Sequence, residues 1–349
     1  MGLVQHHHTV SRPEHPVCSI CIANYNGIDL LDDCLVSVIS QQGEISFEII
    51  VHDDASTDDS VALLRMKYPG VEVLASPENV GYCVANNRMV AHARGEFILL
   101  LNNDAALHPD ALLTLIEIAS GSAAKGVMTL PQYDWETGVL VDRGCLLDPF
   151  YNPVPNLDSS RRDVAMVIGA CLWMSRDVWN EIGGFPEWLE SIAEDMYLCC
   201  VARLRGCLVQ VASASGYRHR QGVSFGGNRV DGGRLSTTFR RRRLSERNKT
   251  AVMIICSPTW LVWPLLLVHL AELALEGLVV ALYRRDRRVW GEIYGPALGT
   301  IFRSAPDLRA RRAQQQTSRQ VSPAAYLSAF TWFPHKLRML FKHGFPSIR

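Results

Sequence analysis

The 349-residue sequence has no net charge, because 35 Lys and Arg residues balance 35 Asp and Glu residues. The balance conceals a division, since residues 236–349 contain 19 basic and 6 acidic residues and residues 1–235 carry the opposite excess. With 48 % apolar residues the chain can build a packed core, which excludes bulk disorder and collagen-like repeats. The basic part predicts contact with an anionic surface, either nucleic acid or the anionic face of a membrane.

The sequence also lacks the marks of a secreted, disulfide-bonded protein. Its ten cysteines are too sparse for a small disulfide scaffold, and no apolar run precedes the first strand-like segment. We therefore expect a reduced, cytosolic protein without a signal peptide. Cys18 and Cys21 have the spacing of a metal pair, but no second pair follows and both lie in an apolar run, which favours a buried strand. Cys199 and Cys200 are likewise expected in a core helix.

The first half alternates short β-rich runs with helical patterns. Strands are predicted at residues 17–24, 48–52, 71–75 and 97–101, and helices at 30–41, 59–66 and 84–94. Strands that alternate with helices indicate a mostly parallel, three-layer α/β sheet. In open sheets of that class the ligand site lies at the carboxyl ends of the strands.

Polar side chains follow three of these strands. The motifs are Asn24-Tyr25-Asn26-Gly27, Asp53-Asp54-Ala55-Ser56 and Asn102-Asn103-Asp104. Carboxylates directly after apolar runs are costly unless they bind something, which makes Asp53 and Asp54 candidate ligand-binding residues. The alternative is a turn with a capping box of Ser56 and Asp59, which leaves the two aspartates unexplained. Asp104 suits a hard divalent cation, although Asn-Asp pairs are also ordinary turn formers.

A second informative block covers residues 167–224. Residues 167–174 are predicted as a buried strand, a tight Gly183-Gly184-Phe185-Pro186 loop follows, and a helix opens with Glu194 and Asp195. Acidic residues at a helix N-terminus are stabilised by the helix dipole, so capping is the alternative to a catalytic role. His219 follows a further predicted strand at 208–212, and a structural role and a ligand role are equally supported there.

Taken together, these stretches resemble the inverting family-two glycosyltransferases of the GT-A fold. The resemblance covers residues 16 to about 225 and also includes Asn79-Val80-Gly81-Tyr82 and the run 93–104. It implies a GT-A glycosyltransferase domain at 16–235, which follows an N-terminal tail at 1–15. The region at 236–349 lies outside the resemblance, and its own composition predicts a helical, basic, membrane-associating segment. Within the family the motifs are most similar to rhamnosyltransferase-like enzymes that build bacterial surface polysaccharide.

The resemblance also implies roles for single residues. The nucleotide would be held by Tyr25, Asp53, Asp54, Ser56, Asn87 and Asn103. A divalent cation, Mg²⁺ or Mn²⁺, would be held by Asp104, Asn102 and His219. The acceptor would contact Gly184, Phe185 and Trp188. Asp195 would be the catalytic base with Glu194 beside it, while Tyr197 and Arg220 depart from the family pattern.

The implied reaction is sugar transfer from a dTDP- or UDP-linked donor to a lipid-linked or glycan acceptor. Asp195 would take the proton of the acceptor hydroxyl during in-line attack, which inverts the anomeric carbon. A cation on Asp104 would neutralise the departing diphosphate. Two other functions are a nucleic-acid-binding protein that uses the Arg clusters and a catalytically silent scaffold. The apolar run between the clusters disfavours the first, and the presence of Asp53, Asp104 and Asp195 together disfavours the second.

Two segments of the basic region suit a membrane. Residues 251–271 carry no formal charge and approach the roughly 20 residues that cross a bilayer as a helix. Pro258, Pro264 and the positive flanks favour a bent, monotopic insertion over one crossing, and the alternative is a buried helix pair on the catalytic domain. Residues 326–341 form an apolar and aromatic stripe that suits either the lipid headgroup region or a core. We expect peripheral attachment to the cytoplasmic face of the cell membrane and no nucleic acid.

Overall fold

The computed structural model describes residues 4–7, 12–121, 125–222, 227–231, 234–344 and 347–348. The segment 223–226, where the family resemblance ends, lies outside the described residues.

The elements follow one another in an alternating order through the first half of the chain. The strands are β1 (Gln5–His7), β2 (Cys18–Asn24), β3 (Phe47–Asp53), β4 (Val71–Ala75), β5 (Phe97–Asn102), β6 (Ala105–Leu107), β7 (Gly126–Thr129), β8 (Gln132–Asp134), β9 (Leu140–Asp142), β10 (Cys145–Leu147), β11 (Pro153–Pro155), β12 (Cys171–Ser175), β13 (Leu208–Val211), β14 (Tyr217–His219), β15 (Gly227–Asp231), β16 (Arg234–Thr237) and β17 (Ser347–Ile348). The α-helices are α1 (Ile28–Ile39), α2 (Ser60–Lys67), α3 (Tyr82–His92), α4 (Ala111–Gly121), α5 (Arg176–Ile182), α6 (Glu194–Leu204), α7 (Phe239–Cys256), α8 (Val262–Arg284), α9 (Gly295–Arg303), α10 (Ala305–Thr317), α11 (Pro323–Leu327) and α12 (His335–His343). A 3₁₀ turn lies at Glu187–Leu189 and a π-helical turn at Val289–Tyr294.

The central sheet has the strand order β1-β4-β3-β2-β5-β12-β7-β13. Strands β4, β3, β2 and β5 are parallel, which confirms the predicted parallel α/β sheet, and β12 runs antiparallel between β5 and β7. The strand predicted at 167–174 begins only at Cys171, because residues 167–170 form a turn whose Gly169 N–H bonds a side chain of α6.

Both faces of the sheet are covered, as the alternation of side chains along each strand requires. Cys21 and Leu100 pack with α3, α6 and α7 on one face, while Ile22 and Leu99 pack with α1, α2 and α4 on the other. Each such fully buried aliphatic side chain stabilises the fold by about 1.5–3 kcal/mol. All ten cysteines are buried free thiols, which confirms the structural reading of Cys18 and Cys21.

The apolar run 251–271 is not one helix. Residues 251–256 end α7 and are buried in the same core as α6, as the alternative of a core helix requires. The chain then bends at Ser257 and Pro258, and α8 starts at Val262. Among the described residues α8 is the one helix long and apolar enough to cross a bilayer, with only 22 % of its most apolar window buried. The stripe at 326–341 is likewise divided, since Pro334 caps α12.

Candidate active site

The carboxyl ends of β2, β3 and β5 meet at one edge of the sheet. In the strand register Asn24 lies opposite Asp53, and Ala23 lies opposite Asn102. The Asn24 amide donates to Asp53 Oδ2 at 2.9 Å, and Asn103 donates to Asn24 Oδ1 at 2.8 Å. Position 27 requires glycine, because a Cβ there would overlap the side-chain amides of Asn24 and Asn103. The polar strand ends therefore form one connected group.

Asp53 is buried and satisfied within the protein. Its carboxylate accepts hydrogen bonds from Ser56 N at 2.9 Å, Ser56 Oγ at 2.7 Å and the Asn24 amide. Ser56 therefore supports the Asp53 turn, and the alternative of a Ser56–Asp59 capping box is wrong: Asp59 is the N-cap of α2 but its side chain makes no cap hydrogen bond, whereas Asp58 accepts from Ser60 N at 3.1 Å. Above this turn Tyr25 is 53 % exposed and free to face a ligand.

Asp54 holds the loop that leads into α3. Its two oxygens accept from Val80 N at 2.7 Å and Gly81 N at 2.9 Å. Burial raises the pKa of the Asp54 carboxyl, and these two backbone donors oppose the rise. Gly81 has a φ of 87°, a backbone conformation that favours glycine. Asp54 thus fixes the Asn79-Val80-Gly81-Tyr82 segment. Both oxygens of this carboxylate, which was predicted to hold the nucleotide, accept hydrogen bonds from the segment.

Asp104 and His219 meet at a second, four-stranded sheet with the order β6-β14-β8-β9, where β6 and β14 pair. His219 on β14 is in register with Ala105 on β6, directly after Asp104. His219 Nε2 lies 3.1 Å from Asp104 Oδ1, and both side chains are buried. On the other side of the ring, Nδ1 is 3.3 Å from Gln132 Oε1, which also accepts from the Tyr217 hydroxyl.

These contacts fit a divalent cation. An amide oxygen can only accept, so Gln132 fixes the proton of His219 on Nδ1 and directs Nε2 towards Asp104. Neighbouring ligands of an octahedral ion, each about 2.1 Å from the metal, lie about 3.0 Å apart, close to the observed separation. An imidazole and a carboxylate in this arrangement could hold Mg²⁺ or Mn²⁺. The third predicted ligand, Asn102, has its Oδ1 3.1 Å from the Tyr82 hydroxyl.

Glu194 and Asp195 begin α6 in different surroundings. Asp195 is half-buried, and its oxygens accept from Gly169 N at 3.0 Å and Met196 N at 2.7 Å. Burial raises the pKa of Asp195, and these donors oppose the rise. Glu194 is buried and, within the described part of the chain, its Oε2 has no hydrogen-bond partner. Burial, followed by the charge of the adjacent Asp195, raises the pKa of Glu194 to about 8. Near neutral pH, Asp195 is thus the better proton acceptor.

Tyr82 connects the predicted metal end of the site to the predicted base. Its hydroxyl lies 3.1 Å from Asn102 Oδ1 and 3.2 Å from the Gly169 carbonyl, and the N–H of the same glycine holds Asp195. The motif Asn79-Val80-Gly81-Tyr82 contributes to the family resemblance, but nothing in the local sequence indicates that the Tyr82 hydroxyl makes these two contacts.

The predicted acceptor loop is held from within the protein. Asn87 donates to the Phe185 carbonyl at 2.9 Å and accepts from its N–H at 3.0 Å. The Asn87 amide, which was predicted to hold the nucleotide, therefore binds this loop. Phe185 is 1 % exposed and packs on Trp179 and Tyr82, and Gly184 is buried. Trp188 is half-buried beside the Arg311 guanidinium. Phe185 therefore shapes the loop from the core rather than facing an acceptor.

The basic region contributes to this site, which the sequence did not predict. On α7, Asn248 donates to the carbonyls of Leu189, Ser191 and Ile192, each within 2.9 Å. Arg247 bonds Glu190 at 2.8 Å. The positive charge of Arg241 acts on both Glu194 and Asp195. It partly opposes the effect of burial, which raises the pKa of each carboxyl. Part of the arginine cluster thus supports the carboxylates instead of facing an anionic surface.

Two departures from the family pattern have a structural reason. The Arg220 guanidinium stacks on the Trp135 ring at 3.7 Å and pairs with Asp33 at 2.6 Å. Tyr197 is buried, with its hydroxyl 3.4 Å from the Gln315 amide. Both side chains bind other parts of the chain.

The sequence matches known glycosyltransferases over its first half. Residues 19–183 match the family described as "Glycosyl transferase family 2". The chain is 28 % identical over 188 residues to a chondroitin synthase of Pasteurella multocida, covering 52 % of this chain and 18 % of the relative. It is 26 % identical over 190 residues to an N-acetylglucosaminyl-diphospho-decaprenol L-rhamnosyltransferase of Mycobacterium tuberculosis, covering 46 % and 62 %. The chain spans a third or less of the length of the first curated relatives that it matches.

Solved structures share the fold at low sequence identity. GalNAc-T7 with UDP, GalNAc and Mn²⁺ aligns with a TM-score of 0.54 and 14 % identity, covering 69 % of this chain and 48 % of that one. TarS residues 1–349 from S. aureus aligns with a TM-score of 0.51 and 15 % identity, covering 89 % and 90 %. These similarities establish the fold.

Proposed function

We propose that this chain transfers a sugar from a nucleotide-diphosphate donor to a hydroxyl of a glycan acceptor, because residues 19–183 match the glycosyltransferase family 2 model and the chain has a GT-A fold. The observation that supports this best is the connection through Tyr82. One hydroxyl contacts both Asn102, two residues before Asp104, and Gly169, whose N–H holds Asp195. A cation-binding carboxylate and a proton acceptor are thereby held in one site.

Asp195 is the general base of the proposed reaction. Two backbone N–H groups orient its carboxylate, and partial burial keeps it basic enough to accept the proton of an acceptor hydroxyl. Attack on the anomeric carbon from the side opposite the diphosphate gives inversion. Glu194, protonated near neutral pH, keeps a second negative charge away from that carboxylate.

Asp104 and His219 would hold Mg²⁺ or Mn²⁺, with Asn102 as the third predicted ligand. The bound cation supplies charge neutralisation for the diphosphate that leaves. GalNAc-T7, which shares the fold, is described with Mn²⁺ and UDP. Tyr25 and the Asp53 turn would form the nucleotide side, with Asn103 beneath it.

The finer assignment is a rhamnosyl donor and a lipid-linked acceptor in bacterial surface polysaccharide synthesis. Its support is one relative whose name joins an L-rhamnosyltransferase to a decaprenol-linked sugar. We place the protein at the cytoplasmic face of the cell membrane, because a lipid-linked acceptor lies there and α8 leaves most of its apolar surface exposed.

A donor panel with Mg²⁺ or Mn²⁺, scored by nucleoside diphosphate release, tests this proposal and identifies the nucleotide. Asp195→Asn should reduce transfer by at least a hundredfold while donor binding survives. Near-normal turnover in that variant would refute its role as the base. Salt-dependent binding of DNA without nucleotide release would favour a nucleic-acid-binding protein instead, and donor binding without turnover would favour the scaffold.

A further inference from the structure

A shallow groove lies at the start of α8, between the bend after α7 and helix α10. It is lined by Thr259, Trp260, Trp263, Arg309, Arg312 and Arg319, among others. Among the residues that the structure describes, no acidic side chain lines it. Three guanidinium groups beside two indole rings form a site for an anion at a boundary between water and an apolar phase, where tryptophan is enriched.

Two of the arginines are fixed in place. Arg312 Nη1 donates to the Ile254 carbonyl at 2.7 Å and also to that of Ser257, and Arg319 donates to the Pro258 carbonyl at 2.8 Å. Their partners are neutral carbonyls at the C-terminal end of α7, so the positive charges are not cancelled. Arg309 is exposed on α10. The groove therefore combines two guanidinium groups held by backbone carbonyls with a third, on Arg309, that is exposed to solvent.

The groove continues into an apolar stripe on α8. From Trp263 the stripe recurs every three or four residues through Leu267, Ala271, Leu275, Leu278 and Leu282, and all of these side chains are exposed. At its start Trp260 is 75 % exposed. Because each residue adds about 1.5 Å, the stripe is about 30 Å long. Arg284, Arg285, Arg287 and Arg288 follow at its far end.

The opposite face of α8 is tied to the protein along its whole length. Its buried residues are Val262, His269, Leu273, Gly277 and Val280. A Cβ on Gly277 would lie 2.7 Å from Tyr294, which shows how closely the helix approaches the π-helical turn. Crossing a bilayer would expose this whole face, whereas a helix that lies in the interface keeps it packed.

We propose that the groove binds the phosphate of an anionic phospholipid headgroup while the α8 stripe lies in the plane of the membrane interface. The occupant follows from charge complementarity with the groove arginines and from its continuity with the exposed stripe through Trp263. This inference rests on the proposed membrane function, and it assigns the headgroup site and the orientation of α8.

Vesicle binding by the full-length chain tests the site. Sedimentation with phosphatidylcholine vesicles that contain phosphatidylglycerol should exceed sedimentation with phosphatidylcholine alone by at least tenfold. Arg309→Glu should lose about tenfold of the affinity for the anionic vesicles, and Leu275→Glu should lose it for both. The matched control is Arg65→Glu, a charge reversal at an exposed position on α2, which should bind as the parent does. Brominated lipids should quench tryptophan fluorescence, and Trp260→Phe with Trp263→Phe should remove most of that quenching.

Several results would overturn the proposal. These are equal binding to both vesicle types, an equal loss in Arg65→Glu, saturation of the groove by inorganic phosphate with no vesicle binding, and a dimer whose formation protects Trp260 from a soluble quencher. Nucleoside diphosphate release with a soluble acceptor keeps the two proposals separate. Arg309→Glu should retain that activity, whereas failure of the parent to release the nucleotide would refute the catalytic proposal alone.

Discussion

Two adjacent carboxylic acids, Glu194 and Asp195, differ because their surroundings differ. Backbone N–H groups of Gly169 and Met196 stabilise the ionised form of Asp195. Glu194 is buried with an unpartnered Oε2, so its neutral form is favoured. When the surroundings shift the pKa values of two neighbouring acids apart in this way, one acid can accept a proton while the other stays uncharged.

Replacement of Glu194 by Gln should remove a pH-dependent loss of stability. The pKa of Glu194 is raised from its usual value near 4.5 to about 8, so the folded state keeps a proton that the unfolded state releases. Stability of the parent should therefore fall as pH rises from about 4.5 to about 8. Glu194→Gln should show a shallower fall and, at pH 8.5, a free energy of unfolding higher by roughly 1–3 kcal/mol. Parallel curves for the two proteins in thermal melts from pH 5 to 9 would contradict this.

Replacement of Gln132 by Ala should weaken cation binding without removing a ligand. The amide fixes the ring of His219 through Nδ1, and loss of such an outer contact typically costs 10–100-fold in metal affinity. We expect the Mn²⁺ concentration for half-maximal nucleotide release to rise by that factor, with the rate at saturating Mn²⁺ nearly unchanged. Gln314→Ala, at an exposed position on α10, is the control. A lower maximal rate with an unchanged Mn²⁺ requirement would argue against the contact.

At the scale of elements, α7 joins the basic region to the loop that precedes the proposed base. Asn248 is fully buried, and its amide serves the carbonyls of residues 189, 191 and 192. That loop contains Glu190, Ile192 and Ala193, all with positive φ, which non-glycine residues rarely adopt. The helix therefore maintains a backbone path that the loop would not keep alone.

Asn248→Ala should disturb both stability and catalysis. Removing the buried donor leaves the loop carbonyls without their partner, which costs about 2–3 kcal/mol. The turnover number should fall, because Glu194 and Asp195 follow the loop directly, while donor affinity should change little. Chemical denaturation and steady-state kinetics measure the two effects. Ser245→Ala on the same helix should leave both unchanged, and an equal loss in that variant would indicate a general weakening of α7.

The sequence predicted the elements that carry their own periodicity. The strands that became β2 to β5 were placed within one or two residues, because apolar runs followed by polar residues mark both the strand and its end. Contacts between distant segments left no such mark. Gln132 reaches His219 because β8 pairs with β14 across 85 residues, and Tyr82 reaches Gly169 across 87. The capping box does not form because Ser56 hydrogen-bonds to Asp53 instead.

At the scale of the whole molecule, the acidic and basic halves meet at the proposed base. The division at residue 235 is one of composition only. In the structure, residues 251–256 of the basic half share a core with α6. Arg241, from the basic half, lies close enough to Glu194 and Asp195 to lower the pKa of both. Opposite charges from the two halves of the sequence therefore meet at this site.

Arg241→Met should move the acidic limb of the pH–rate profile to higher pH. Without that cation the pKa of Asp195 rises, so the base remains protonated up to a higher pH. Initial rates from pH 5 to 9 at saturating donor measure the shift. Arg243→Met provides the matched control in the same cluster, and a similar shift there would mean that the cluster acts only through its net charge.

The burial of all ten cysteines has a practical consequence. Burial raises the pKa of thiols such as Cys18, Cys21 and Cys34, so few thiolates are available to maleimide reagents in the folded protein. A cysteine introduced at exposed Leu267 would therefore react selectively without first deleting the native ones. A fluorophore or nitroxide attached there would report depth and polarity beside α8 directly.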